Sequence, residues 1–331
     1  MMSALVFLKL FAIFVVVVVG WLAGRARFFG GGEAARALSN TAFYLFAPAL
    51  LFRTTARIDF ATMPWATIAA YFVPVVGWLL AVYAWRRWRA GQEANAAAAE
   101  PSVRAITATF GNTVQLGIPI AAALFGETGL SIHLAIVSLH ALTLLTVLTV
   151  LVELDVARAA AKAAQNERHD LGATLLLTAR NTIIHPVVLP VLVGLAWNVT
   201  GVEIPQAVDQ ILLMLGQAVV PVCLIAIGMS LAHYGIKGAA RGAIGLTVAK
   251  MLVQPALVLL AGHFVFGLSG LPLTVIVMCA GLPSGTNALM FSQRYATQEA
   301  ETTATIVVST LAFVFTAPAW LWAVSRFSAT H

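Results

Sequence analysis

Gly111-Asn112-Thr113-Val114-Gln115-Leu116-Gly117-Ile118-Pro119 interrupts one apolar block of the chain, and Gly281-Leu282-Pro283-Ser284-Gly285-Thr286-Asn287 interrupts another. Each places glycine, proline and uncharged amides or hydroxyls in the middle of a stretch of membrane-spanning length. Proline removes a backbone donor and clashes with the preceding turn, so a helix breaks or kinks there. The freed backbone groups cannot face lipid and must line a cavity or be covered by protein. The start of each resumed half-helix carries bare N–H groups and partial positive charge. Two such breaks meeting at mid-membrane make an anion site, with Asn and Ser/Thr side chains setting orientation. The plainer alternative is two proline kinks whose polar side chains are satisfied between helices. A matched pair argues for the site.

Composition sets the frame around these breaks. Of 331 residues, 60% are hydrophobic and 10% charged, and the mean hydropathy is +0.92. A soluble domain carries roughly 25% charged residues. An ordinary cytosolic enzyme and a disordered chain are therefore excluded, and the net charge of +6 does not make a nucleic-acid binder. A hydrocarbon core about 30 Å thick needs roughly 20 apolar residues per helix. The expected fold class is an all-α polytopic membrane protein of ten transmembrane helices. Cys223 and Cys279 lie inside apolar segments and read as small core residues.

The expected spans cover residues 3–24, 34–52, 64–85, 103–125, 130–152, 173–199, 205–232, 239–266, 271–295 and 302–326. The first is retained rather than cleaved as a signal, because Lys9 sits inside the apolar run and Arg25 and Arg27 follow it. Loops after odd-numbered spans hold Arg25, Arg27, Arg86, Arg87, Arg158, Lys237 and Arg294, whereas the opposite loops hold Arg53 and Arg57. The positive-inside rule then puts both termini outside. Asp209, Glu299 and Glu301 fall at span ends, where solvent is expected to reach them.

Proline recurs in the second, third and fourth span of each half: Pro48, Pro74 and Pro119, then Pro221, Pro255 and Pro283. An odd number of spans per half inserts the second half upside down, the inverted-repeat plan of many secondary transporters. The halves are residues 1–152 and 173–331, joined by a polar cytoplasmic linker at 153–172.

These residues also carry a family resemblance. The segment from Gly111 to Pro119, the stretch from Gly281 to Pro318, His185-Pro186 with Gly194, and Pro221 with Gly228 resemble the auxin efflux carrier family over nearly the whole chain. Its bacterial branch is malonate-transporter-like. The resemblance implies two inverted five-helix repeats whose broken helices 4 and 9 cross at prolines. It implies a scaffold of helices 1, 2, 6 and 7 and a transport part of helices 3–5 and 8–10, moving as an elevator in the bacterial inner membrane. It further implies that Asn112, Pro119 and Pro283 sit at the substrate. The loop after span 5 is short, unlike that of plant members, and His185 stands where the family often has Asn. A small carboxylate is therefore a better substrate than auxin.

The expected binding set is Asn112, Thr113, Gln115, Gly117, Pro119, Pro283, Ser284, Gly285, Thr286 and Asn287, joined by Lys250. Lys250 lies inside span 8, where a cation is costly unless paired, hydrated or snorkelling. Two readings stand for it: attraction of the anion, or a snorkel to the cytoplasmic edge. His140 and His185 are candidate proton carriers or hydrogen-bonded core histidines. No metal site and no cofactor are expected. The expected partners are a small organic anion and the bilayer. A co-transported proton or sodium, and a homodimer through the scaffold helices, are left open. Gly20 with Gly24, and Gly238 with Gly242, are small-residue pairs that pack helices closely or form a dimer face. Two other classes compete. An intramembrane enzyme at Ser284 needs a base within reach, and only His331 follows it in sequence. A channel would need a ring of like charges or a filter motif, which the sequence lacks.

Overall fold

Without water to bond exposed backbone groups, an apolar chain in lipid satisfies them inside helices. The computed structural model of the protein describes residues 4–26, 32–57, 64–90, 97–163, 188–234 and 240–328. Among the described residues it is helical throughout and has no strand. Helix α1 is Ala4–Arg25 and α2 is Gly32–Thr41, followed by α3, Ala47–Thr55. Then come α4 (Trp65–Ala90), α5 (Glu100–Thr109) and α6 (Ile118–Ala163). The second half contains α7 (Val188–Val199), α8 (Gln206–Tyr234), α9 (Ala240–Val248) and α10 (Gln254–Leu260). It ends with α11 (Gly270–Ala280), α12 (Thr286–Arg294) and α13 (Glu299–Ser328). Among the described residues, five helices are long and apolar enough to cross a membrane: Trp65–Ala90, Leu124–Ala159, Gln206–Ser230, Ala240–Val265 and Glu299–Phe327. Large apolar side chains such as Leu22, Val73, Phe264 and Phe315 are exposed on their outer faces, as lipid contact requires.

Pro283 stands in a true helix break, between α11 and α12, whereas other prolines of the spans are held within helix. Pro74, Pro221 and Pro318 lie inside continuous α-helix. At three other places a five-residue π turn ends immediately before a residue–proline pair. These are Ala42–Phe46 before Ala47-Pro48, Thr113–Gly117 before Ile118-Pro119, and Ala249–Val253 before Gln254-Pro255. Proline has no N–H to give to the carbonyl four residues back and crowds it. A wider turn just upstream relieves that clash without ending the helix. The one sharp turn within α6 is Gly126, with φ 63° and ψ −163°, where spans 4 and 5 were expected to divide.

Helix α1 lies along α8, α2 and α3 also pack on α8, and α7 packs on α3. Glycine permits the α1–α8 contact. A Cβ on Gly228 would lie 2.1 Å from the Val17 carbonyl oxygen, and one on Gly20 would lie 2.4 Å from that of Ile225. The Gly20–Gly24 face is therefore filled within one chain. Elsewhere α4 packs on α5, α9 on α13, and α11 on α10 and α6. Their largest fully buried side chains include Tyr71, Ile106, Leu144 and Phe291.

Three carboxylates expected in solvent are buried and ion-paired. Asp209 lies 2.8 Å from Arg53 Nε and 2.6 Å from Arg57 Nη2, joining the ends of α3 and α8. Glu299 accepts from Arg36 at 2.8 Å, and Glu301 from Arg104 at 2.7 Å. Glu100 joins the latter group by accepting from both Arg86 and Arg104. A Cβ on Gly242 would lie 2.5 Å from the Glu301 carboxyl carbon, so this glycine makes room for an ion pair. Helix ends brought together in a bundle shield these charges, and each carboxylate keeps an arginine because an unpaired buried charge is costly.

Candidate functional site

The two interrupted segments meet. Helix α5 stops at Thr109, Phe110 is extended, and the chain turns back into helix from Thr113. Helix α11 stops at Ala280 and α12 begins after Gly285, with Pro283 between them. Gly111 and Ser284 form an antiparallel bridge. The Asn112 N–H donates to the Pro283 carbonyl at 2.8 Å, and the Gly285 N–H donates to the Phe110 carbonyl at 2.8 Å. The Ser284 N–H donates to Ser309 Oγ at 3.1 Å. Each break thus supplies the partners that the other break lost, which answers where the backbone hydrogen bonds of the two gaps go. Gly285 is needed for this approach, because a Cβ there would lie 2.9 Å from the Gly111 carbonyl oxygen.

The crossing forms one wall of a cavity of about 390 Å³. Asn112, Thr113, Gly285, Thr286 and Asn287 from the expected set line it, as do Phe110 and Gly111. The starts of the Thr113 turn and of α12 therefore face the same space. The Gly285 N-cap has no side chain to offer the end of α12. Asn112 is 5% exposed and its Oδ1 has no hydrogen-bond partner among the described residues. A buried amide atom without a partner is expensive, and here it borders the cavity.

Other expected residues lie behind the wall. Ser284 is fully buried and its hydroxyl donates to the Thr107 carbonyl at 2.7 Å. Gly117 seats His133: a Cβ there would lie 2.5 Å from the imidazole Nε2. That Nε2 stands 2.8 Å from the Thr113 carbonyl, a group released by the break. Pro283 contributes its carbonyl to the crossing and does not line the cavity. The side chains of Gln115 and Pro119, and the whole of His185 and Pro186, lie outside the described residues. His140 is buried, with Nδ1 3.2 Å from the Tyr71 hydroxyl and its ring 4.5 Å from that of Phe110.

Lys250 does not snorkel. It is 0% exposed, and its ammonium donates to the Ala280 carbonyl at the last turn of α11. A cation there complements the negative end of the helix dipole. It does not line the cavity.

The opposite walls come from elements that the motif reading left out. Helix α3 contributes Leu50, Arg53 and Thr54, and α8 contributes Leu212, Gly216 and Gln217. Arg53 is held in place by Asp209. The sequence signal for Arg53 was its position as one of two arginines on the sparsely charged side; its seat at a cavity followed only from the packing of α3 on α8. Replacing Arg53 by Gln is expected to raise the KM for an anionic substrate roughly three- to tenfold, about 0.7–1.4 kcal/mol. Uptake kinetics on equal amounts of folded protein measure this, and an unchanged KM removes Arg53 from the substrate path.

Comparison with known proteins agrees with this architecture. The profile of the family described as "Membrane transport protein" matches residues 5–321. A Rhizobium meliloti protein named "Putative malonate transporter" is 25% identical over 291 residues, covering 88% of this chain and 87% of its own. The Escherichia coli protein named "Uncharacterized transporter YfdV" is 26% identical over 325 residues, covering 96% of each chain. With nearly the whole chain matched and its helices of membrane-spanning length, this is a multi-pass membrane protein belonging to the membrane transport protein family, the auxin efflux carrier family.

Proposed function

We propose that the protein is a secondary transporter of small organic anions, mono- or dicarboxylates such as malonate, working by an elevator-type alternating access. The observation that carries this reading is the crossing at Gly111 and Ser284 on the wall of a cavity. That wall offers an unpartnered Asn112 amide oxygen, two helix starts and no carboxylate. The N–H groups of the two helix starts and the NH₂ end of the Asn112 amide are neutral donors, and they suit an anion that must be bound and then released. The name of the Rhizobium relative supports a small carboxylate.

In this reading ten spans form two inverted five-helix repeats. Helices α1–α3, α7 and α8 are the scaffold, and the remaining helices carry the crossing. Both termini lie outside. A homodimer through the scaffold must use a face other than the Gly20–Gly228 contact, which one chain already fills.

The test is uptake of a panel of labelled mono- and dicarboxylates into proteoliposomes, with and without imposed proton, sodium and voltage gradients. Saturable uptake stimulated by substrate on the far side is expected, and the effective gradient identifies the coupling. Flux that stays linear with concentration and shows no counterflow would replace the carrier with a channel.

A further inference from the structure

Lys250 is a fully buried cation, and no carboxylate forms an ion pair with it among the described residues. This sets it apart from seven of the arginines at the helix ends. Arg36, Arg53, Arg57, Arg86, Arg87, Arg104 and Arg158 all meet a carboxylate within 4 Å. Its ammonium donates to the Ala280 carbonyl at the end of α11. It also lies 3.6 Å from where a Cβ on Gly111 would stand. Gly111 lines the cavity on the substrate side of the crossing. One residue of backbone, without a side chain, therefore separates an uncompensated positive charge from the cavity.

Taking a charge out of water is costly, and a helix carbonyl returns only part of that cost. Charge interactions across so short a distance in a poorly polarisable interior are strong. Among the described residues no carboxylate serves as its counter-ion. We propose that Lys250 is the fixed counter-charge of the transported anion, acting through the Gly111 backbone and setting a preference for a single negative charge. It is a positioning residue, since it does not touch the cavity. The proposal rests on the organic-anion reading above and deepens it by naming the charge class of the substrate. With one bound carboxylate beside a protonated Lys250 the pair is neutral. The second charge of a dianion has only Arg53 to meet at the cavity wall, and Asp209 already pairs that arginine; a neutral analogue leaves the ammonium bare.

The experiment uses three probes of nearly one shape in proteoliposomes: malonamide (neutral), malonamate (one charge) and malonate at a pH where it carries two. Wild-type protein is expected to take malonamate with the lowest KM. Lys250→Gln keeps a donor for the Ala280 carbonyl and removes the charge. It should raise the KM for malonamate at least tenfold and leave malonamide within twofold. The membrane-potential dependence of uptake should change in the same variant. Lys250→Ala with added ethylammonium should recover part of the malonamate affinity, which a purely structural defect would not. A Lys250→Gln protein that keeps both its malonamate KM and its voltage dependence overturns the role of Lys250 and leaves the carrier reading standing. A wild type that transports neither malonamate nor malonate, nor any other carboxylate in the panel, overturns the organic-anion reading together with this one.

Discussion

Asn112→Ala is expected to lower carboxylate uptake in proteoliposomes by roughly tenfold to a hundredfold, the range set by one hydrogen bond to a charged group. The yield of folded protein should stay near that of the wild type. The reason lies in the division of labour at this residue. Its backbone N–H serves the crossing by donating to the Pro283 carbonyl, and the substitution retains that bond. Its side chain lines the cavity with an amide oxygen that nothing among the described residues satisfies. An amide can turn its NH₂ toward a carboxylate and its oxygen away from it. Asn112→Asp keeps the shape and places a negative charge against the substrate, so its loss should exceed that of the alanine. Wild-type KM and maximal rate in both variants would remove Asn112 from the site.

Gly228→Val is expected to lower the amount of folded, monodisperse protein severely and to depress its melting temperature in detergent. Lipid is as apolar as the helices, so their association depends on close packing. At the α1–α8 contact, a Cβ on Gly228 would stand 2.1 Å from the Val17 oxygen and 2.6 Å from the Trp21 nitrogen. Those are backbone atoms and cannot rotate away. The helix axes must separate, which costs roughly 1–3 kcal/mol or more. Gly20→Val strikes the same contact from the other helix and should behave alike. Gly77→Ala is the control: its Cβ would meet nothing within 4 Å, so stability should hold. Equal melting temperatures for Gly228→Val and the wild type would mean that the α1–α8 contact does not hold these helices together.

The breaks were legible because the residues that interrupt a helix also declare it. Gly111-Asn112 and Pro283-Ser284-Gly285 stand out in apolar surroundings, and a break in lipid must be covered. Their partnership was legible only as a correspondence between halves. The exchange of hydrogen bonds between Asn112 and Pro283 joins residues far apart in sequence. Proline was a less direct guide. Its effect depends on whether the preceding turn can widen, as at Ala249–Val253, or the helix tolerates the lost bond, as at Pro74. Burial of Asp209, Glu299 and Glu301 was hidden because a charge at a helix end reads as solvated until another helix end arrives with an arginine.

What the sequence determined by itself is the membrane class, a chain that is nearly all helix, and the two places where the chain must leave it. Those follow from local chemistry: apolar length, missing donors and residues without side chains. Tertiary structure alone decided that Arg53 and α8 complete the cavity, that His133 reaches a carbonyl released by the break, and that Lys250 stands behind Gly111 without a carboxylate. Such facts depend on which helix faces which, and packing between distant segments settles that through contacts that no local pattern encodes.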